Sequence, residues 1–558
     1  MKTGGRVRDA RWGARIAPWI VFAAMLGLGP AAQAHTITVD GSAADWTGVP
    51  ALLFDTAQLS HDGAGHCEYV WLDAWRDTPA ALGNVPGLDL VEFRITGDTQ
   101  NLYFMALTRG TTTTSGAGAP MLQIAMRTDT SSLVRPSAFV DGARTRVASG
   151  AEWDVLYETR FATGAAPRVC DRPMHDISCA AQAAIRSAGV IEGAIPWTAL
   201  GLPTAPLTPV RFSVALFRSS AVDTVSSLAP DVSNATDVVS DGGAPASTPN
   251  TTVSTAGGQL DYSFDLHFDR NGEPYAPLLV YQVSYAQGTA LDWASLVNVS
   301  RVPLSLGDFK VGDASRPGST NGGMGTLPAI MLQPGHSIVV CQNADSFRTR
   351  YGFRAGGECG GVDPATPDLT PFAAWSESPG LQLNSNGDQV LVLDRGNTVI
   401  DVVAWKFAFW LGLTPSSGVT GQGVLQRGSL TLVTNDSGED FVSVTNAVPG
   451  ALPGAILAVG APVAVGPDRA VLTPNPFHGT VGLSLRFPGA GPTPVSVQVF
   501  DVTGRLVRTV ARDRLVTPGT QFTWSGDDDQ GRALPSGTYL FRITAPSGTS
   551  VVRGVRLQ

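Results

Sequence analysis

The sequence predicts an all-β protein: three β-sandwich domains in series, of the jelly-roll or immunoglobulin-like type. Three observations predict it. The 558 residues include 63 glycines and 39 prolines, so the chain turns often. Only 15% of residues are charged, too few to coat many exposed helix faces. Short runs rich in Val, Thr and Ser alternate apolar with polar residues, the period of half-buried strands. A chain of this length is expected to form about three or four domains.

The N-terminus reads as a leader. Lys2, Arg6, Arg8, Arg11 and Arg15 form a basic region, and residues 16–28 are mostly apolar. That stretch is short for a bilayer, and Gly27, Gly29 and Pro30 close it. Ala32-Gln33-Ala34 is a small-x-small cleavage signal that leaves His35 as the first mature residue. Residues 451–465 are also apolar but hold Pro453, Gly454, Gly460 and Pro462, the composition of an extended linker. No transmembrane helix is therefore expected in the mature chain. A net charge of −9 argues against a nucleic-acid partner.

Residues 35–268 read as the first sandwich. Ile37-Thr38-Val39 leads into a turn before Trp46. Leu90-Val91-Glu92-Phe93-Arg94-Ile95 and Asn101-Leu102-Tyr103-Phe104 alternate around a turn at Gly97-Asp98. Later strands are read at 122–126, 152–157, 191–197 and 211–217. Residues 220–260 read as a long polar loop, followed by a last strand from Tyr262. The opening I-T-V-D-G-x-x-x-D-W, the N-L-Y-F strand and G-A-I-P-W-x-x-L-G-L together resemble the DOMON/family-9 carbohydrate-binding superfamily. The segment from Leu52 to Leu90, with Cys67, Tyr69, Trp71 and Trp75, reads as an insertion into that pattern.

Residues 275–452 read as the second sandwich. Its clearest pieces are Leu332-Gln333-Pro334-Gly335-His336-Ser337-Ile338-Val339-Val340 and Asn386-Gly387-Asp388-Gln389-Val390-Leu391-Val392-Leu393. These resemble the lamin-tail domain, an immunoglobulin-like module of secreted bacterial proteins. The opening strand of that pattern corresponds to Asp292-Trp293-Ala294-Ser295-Leu296. After the linker at 453–467, residues 468–558 read as a third, smaller sandwich. Val495, Val497 and Val499 alternate with polar residues, and Asp501-Val502-Thr503-Gly504 is a hairpin turn. With Leu472-Thr473-Pro474-Asn475-Pro476-Phe477 and Leu534-Pro535-Ser536-Gly537-Thr538-Tyr539, this order resembles the type IX secretion sorting domain and the related FlgD-like immunoglobulin domain. The resemblance implies export through a dedicated machine that reads 468–558.

Chemistry is sparse. No Gly-x-Ser-x-Gly elbow surrounds a serine, and the seven histidines fall mostly in turns. His61, His66 and Cys67 cluster, as do Cys170, His175 and Cys179, but neither spacing matches a structural zinc site. Asp527, Asp528 and Asp529 before Gly531 could offer oxygen ligands to calcium, although a tight turn explains them as well. No catalytic residue, metal or cofactor is assigned. In an oxidising compartment Cys341–Cys359 and Cys170–Cys179 are candidate disulfides, with Cys67 left over. Trp71 and Trp75, near Tyr69, are the candidate ligand-binding aromatics, because sugar rings stack on exposed indoles; Trp46, Trp197 and Trp405 follow core patterns.

The expected function is a secreted or cell-surface, non-enzymatic binding or adhesion protein that reaches the outside through the periplasm. A polysaccharide or cell-surface glycan is the candidate partner. Two alternatives stand beside it: a structural matrix or spacer protein without a small ligand, and a secreted hydrolase with an unrecognised site in 35–268.

Overall fold

The structure is a computed structural model. It describes residues 35–452 and 469–557, apart from 36, 47–55, 63–64, 74–81, 84, 114–118, 130–133, 160–165, 187, 219–232, 241–252, 255–257, 261, 409–411, 420–422, 474–476, 487–492, 502–504, 517–520 and 546–547. The expected leader and linker, and most of the 220–260 loop, lie outside the described residues. The chain is nearly all β, with α-helices described only at Ala344–Tyr351 and Ser437–Asp440. No helix among the described residues is long and apolar enough to cross a membrane.

The first sandwich has two sheets. In one, Thr56–His61, Cys67–Leu72, Leu90–Gly97, Asn101–Thr108, Val190–Pro196 and Gln182–Ile185 run antiparallel in that order. The other is eight-stranded and centres on Val210–Arg218, paired with Pro120–Arg127 on one side and Phe264–Phe268 on the other. Alternation fixes the packing. Phe93, Ile95, Phe104 and Ala106 meet Ile124, Met126, Phe212 and Val214 in the main core. The residues between them do not face water. Met121, Ala125, Ala215 and Phe217 bury against Phe139 and Trp153 in a second core. Tyr103 and Met105 bury against Ile37 and Trp46 in a third. Both faces are thus covered, and the strands carry more apolar residues than one-sided sheets need. Gly193 has a packing reason: a Cβ there would stand 2.3 Å from the Phe104 ring.

The second sandwich sets Ser337–Cys341, Trp293–Asn298, Leu278–Ser284, Val424–Arg427 and Phe441–Val444 into one sheet, with Gly357–Glu358 at its edge. Trp293–Asn298, read as the opening strand, is an inner strand paired on both sides. Its neighbour Leu278–Ser284 is buried at every position. The facing strands are Met324–Thr326, Lys310–Gly312, Gly387–Leu393 and Val399–Lys406.

The first two sandwiches share a sheet. Val399–Lys406 pairs parallel with Thr56–His61 at Gln58 and Val399, so one sheet of eleven strands runs through both. Their core is continuous, from Ala57 to Phe441. The second sandwich also buries a cation. Arg427 is 0% exposed at its side chain; its Nη2 donates to both Asp401 oxygens at 2.7 Å and its Nη1 to Asp440 at 3.2 Å. Its Nε donates to the Val280 carbonyl at 2.9 Å.

Residues 469–557 form a sandwich with its own core. Arg469–Thr473, Val481–Arg486 and Gln521–Trp524 make one sheet. Phe477–His478, Gly548–Leu557, Gly537–Ala545, Thr493–Asp501 and Leu506–Val516 make the other. Val495, Val497 and Val499 are buried with Phe477, Trp524 and Phe541, as their alternation predicts.

Candidate binding cleft

Where the first two sandwiches meet, their strands enclose a cavity of about 310 Å³, near the small end of the usual range for ligand sites. The strand Phe264–Phe268 builds its polar wall. Phe264, Leu266 and Phe268 point into the core, so period-two alternation turns Asp265 and His267 toward the cleft. Arg211 is the cross-strand partner of Asp265 and grips it with two bonds, of 2.8 and 3.1 Å. Arg395, from the hairpin that joins Gly387–Leu393 to Val399–Lys406, adds its Nε at 2.8 Å and reaches the Ser263 carbonyl at 3.0 Å. Val302, Leu304, Phe309 and Ile400 supply the apolar wall.

The electrostatics follow from burial and partners. Burial works to raise the Asp265 carboxyl, but the two guanidiniums outweigh it and hold it below its ordinary value. Burial pushes His267 down to about 4, so its ring is neutral at physiological pH. Its Nδ1 has no hydrogen-bond partner among the described residues, and its ring meets Tyr275 edge-on at 5.9 Å. Burial raises Asp394 to about 7. Its carboxylate has a local task, accepting the Thr398 amide at 2.9 Å across the hairpin turn. Lys310 Nζ braces the same turn through the Asp394 carbonyl at 2.8 Å and Asn397 Oδ1 at 2.9 Å. The cleft therefore offers a fixed ion-pair cluster, the half-buried Tyr275 and an apolar wall: groups for orienting a small polar molecule.

Tyr69 and Trp71 do not form an exposed aromatic platform, and this corrects the sequence reading for these two residues. Tyr69 and Trp71 are both 0% exposed. Tyr69 stacks on Phe264 at 4.3 Å, and the Trp71 indole donates to the Ser240 carbonyl at 2.8 Å. The reason is that Cys67–Leu72 is a paired strand of the large sheet, whose inward residues belong to the core. Trp75 lies outside the described residues. Trp46, Trp197 and Trp405 are buried.

All five thiols are unbonded in the structure. Cys341 and Cys359 are nevertheless close, because the Cys359 amide donates to the Cys341 carbonyl at 2.9 Å. Cys170 is buried in the core beneath Trp153, whereas Cys179 is exposed, so the pair expected between them is not formed. Among the described residues, no three of His, Cys, Asp and Glu gather as a metal-binding group. Asp528 accepts the Gln530 and Arg532 amides at 2.9 Å each, which is the tight-turn reading of that stretch. Sequence reasoning missed Arg211, Asp265, His267 and Arg395. The F-D-L-H-F alternation was a signal for Asp265 and His267, but nothing local linked them to Arg395.

Comparison with known proteins speaks to the C-terminus. Residues 475–549 match the FlgD Ig-like domain. No curated protein matches the chain. Among solved structures, a DUF4876 family protein from Bacteroides thetaiotaomicron is similar at 12% identity and a TM-score of 0.25, over 47% of this chain and 89% of that one. PorZ, a bacterial surface component of the type-IX secretion system of Porphyromonas gingivalis, is similar at 10% identity and a TM-score of 0.13, over 91% of this chain and 81% of PorZ. Latent PorU from the same organism is similar at 10% identity and a TM-score of 0.14, over 83% of this chain. The chain spans about a third of PorU's length, 32%.

Proposed function

We propose that this chain is an exported, non-catalytic binding protein, displayed on the cell surface or released. In this reading residues 468–558 direct export, and the two joined sandwiches, DOMON-like and lamin-tail-like, present the ligand site. The match of residues 475–549 to the FlgD Ig-like domain carries the reading. It is supported by the separate core of that module, which lets it serve a receptor without disturbing the rest. The ligand class is a neutral glycan held in the junction cleft. Tyr275 offers an aromatic ring, while the Arg211–Asp265–Arg395 cluster offers fixed hydrogen-bonding groups.

Two measurements test this. Deleting 468–558 in the native host should leave the remainder in the periplasm; normal surface delivery of the truncated chain refutes the sorting role. A glycan array probed with the full mature chain should give binding that Tyr275→Ala weakens. A second reading, a rigid spacer without a small ligand, is favoured by the sheet continuous through both sandwiches. A silent glycan array together with intact export would select it.

A further inference from the structure

The first described residue, His35, sits in an acidic recess at the end of the first sandwich. Its backbone nitrogen donates to Glu273 Oε1 at 2.7 Å. Its ring Nδ1 lies 3.2 Å from Glu68 Oε1, and the ring stacks on His66 with centroids 5.4 Å apart. Both carboxylates are buried: Glu273 is 5% exposed and Glu68 0%. They are held from below. Glu68 lies on Cys67–Leu72 and receives Arg94 Nη1 at 2.8 Å. Glu273 is set by a tight turn in which its amide donates to Asp269 Oδ1 at 3.0 Å and the Asp269 amide donates to its carbonyl at 2.8 Å. Gly272 is required there: at φ +91 it packs so closely that a Cβ would stand 1.9 Å from the Asp98 carbonyl oxygen.

Acidic groups surround this point. Glu68 and Glu273 face it, Asp269 lies beside Glu273, Asp62 sits behind His66 at 2.8 Å, and Asp45, in the short helix Ala43–Trp46, accepts the Thr38 amide. Arg94 is shared with Glu92 and Glu68, and Arg301 acts on Asp269 from outside. While residue 34 is attached, the strongest partner of Glu273 is a neutral amide. Burial accordingly lifts the Glu273 carboxyl to about 7, against the pull of the His35 amide and the two imidazoles. The donor that Glu273 receives from His35 is thus an uncharged backbone N–H, at the position a free α-amine would take.

We propose that removal of the leader after Ala34 supplies a cation there: the new α-ammonium of His35 docks on the Glu273 carboxylate and anchors the mature N-terminus to the first sandwich. Hydrolysis of the Ala34–His35 peptide bond adds one water across it. The Ala34 side leaves as a carboxylate, and the His35 side becomes an amine that is protonated at neutral pH. The neutral hydrogen bond at 2.7 Å then becomes a charge-assisted one, the stronger class. The α-amine gains a partner on folding, so its pKa is raised. The α-amine's contribution is present below the unfolded α-amino value and lost as pH rises through the folded one, and at the acid side it is lost where the Glu273 carboxyl takes up its proton. Processing thus does more than release the chain: it completes the fold.

The idea rests on the export reading only for the leader itself, and the test separates the two. The mature form, made with a protease that leaves His35 first, is compared with a form carrying Ala32-Gln33-Ala34 ahead of it. At pH 7 the mature form should melt higher by about 2–4 °C, and Glu273→Gln should abolish the difference. The His35 amine should also be acylated at least tenfold more slowly than in Glu273→Gln. If Glu273→Gln does not fold, carbamylation of the mature wild-type amine must lower its melting temperature to that of the extended form. Equal melting of the two forms, or acylation at the rate of a free amine, overturns the proposal. A native N-terminus other than His35 overturns it in the cell while leaving the sorting role of 468–558 untouched.

Discussion

Replacing Arg427 by methionine keeps a long side chain over Phe441 but removes the cation that answers two buried carboxylates. In the native protein all the donors of that guanidinium that the fold uses are taken, by Asp401, Asp440 and the Val280 carbonyl, and the group lies 4.5 Å over the Phe441 ring. The carboxylates left behind are 2% and 7% exposed at their side chains, out of reach of solvent screening. Breaking such a pair costs about 3–5 kcal/mol. The protein can recover part of this by protonating one carboxyl. Burial already raises Asp440 above its ordinary value, and loss of Arg427, which now pulls it down, raises it further. A carboxyl whose folded pKa lies above its unfolded one contributes stability that is present at acid pH and lost as pH rises through the folded value. The deficit of Arg427→Met should therefore be largest near pH 8 and shrink by about 1.4 kcal/mol for each unit of pH lowered while one proton is being taken up. Urea unfolding at pH 8 and pH 6, with and without Asp440→Asn, measures it. A deficit below about 1 kcal/mol, or one of equal size at both pH values, would refute the reasoning.

Four further outcomes follow from the packing and the charges. Asp292, Asp313 and Asp394 are each raised by burial to about 7, so the second sandwich should lose stability as pH rises from about 4 through 7; a melting temperature that climbs over this range would contradict it. Gly193→Ala should cost about 1–3 kcal/mol by driving a methyl into the Phe104 ring, read as a fall in the urea midpoint. Protein taken from the periplasm or medium should yield a Cys341–Cys359 linked peptide on non-reducing mapping, because the two backbones are already hydrogen-bonded; free thiols at both positions would remove that expectation. Asp265→Asn should loosen Arg211 and Arg395 together and lower affinity for any glycan found on the array, whereas Trp71→Phe should change stability and leave binding unmoved.

The sequence alone determined the all-β strand content and the alternation of the C-terminal strands; the hairpin turn expected at Asp501-Val502-Thr503-Gly504 lies largely outside the described residues. Strand content and alternation are local properties: alternation at Val495, Val497 and Val499 is enough to aim each side chain once a strand forms. It did not determine how the strands combine. Leu278–Ser284 (L-L-V-Y-Q-V-S) is buried at every position although Gln282 and Ser284 are polar, so its sequence carries no clear period by which to type it. Cys67–Leu72 read as part of an insertion because residues 52–90 depart from the family pattern that 35–268 resembles; in the structure it is a strand buried on both faces, which one-sided alternation does not mark. The tertiary structure decided three things: the single parallel contact at Gln58 and Val399 that joins two sandwiches, the burial of Tyr69 and Trp71, and the meeting of Asp265 with Arg395 across 130 residues. Each depends on pairing between segments distant in the chain, and such pairing is chosen by the burial of whole faces against each other, a quantity that no short window of sequence contains.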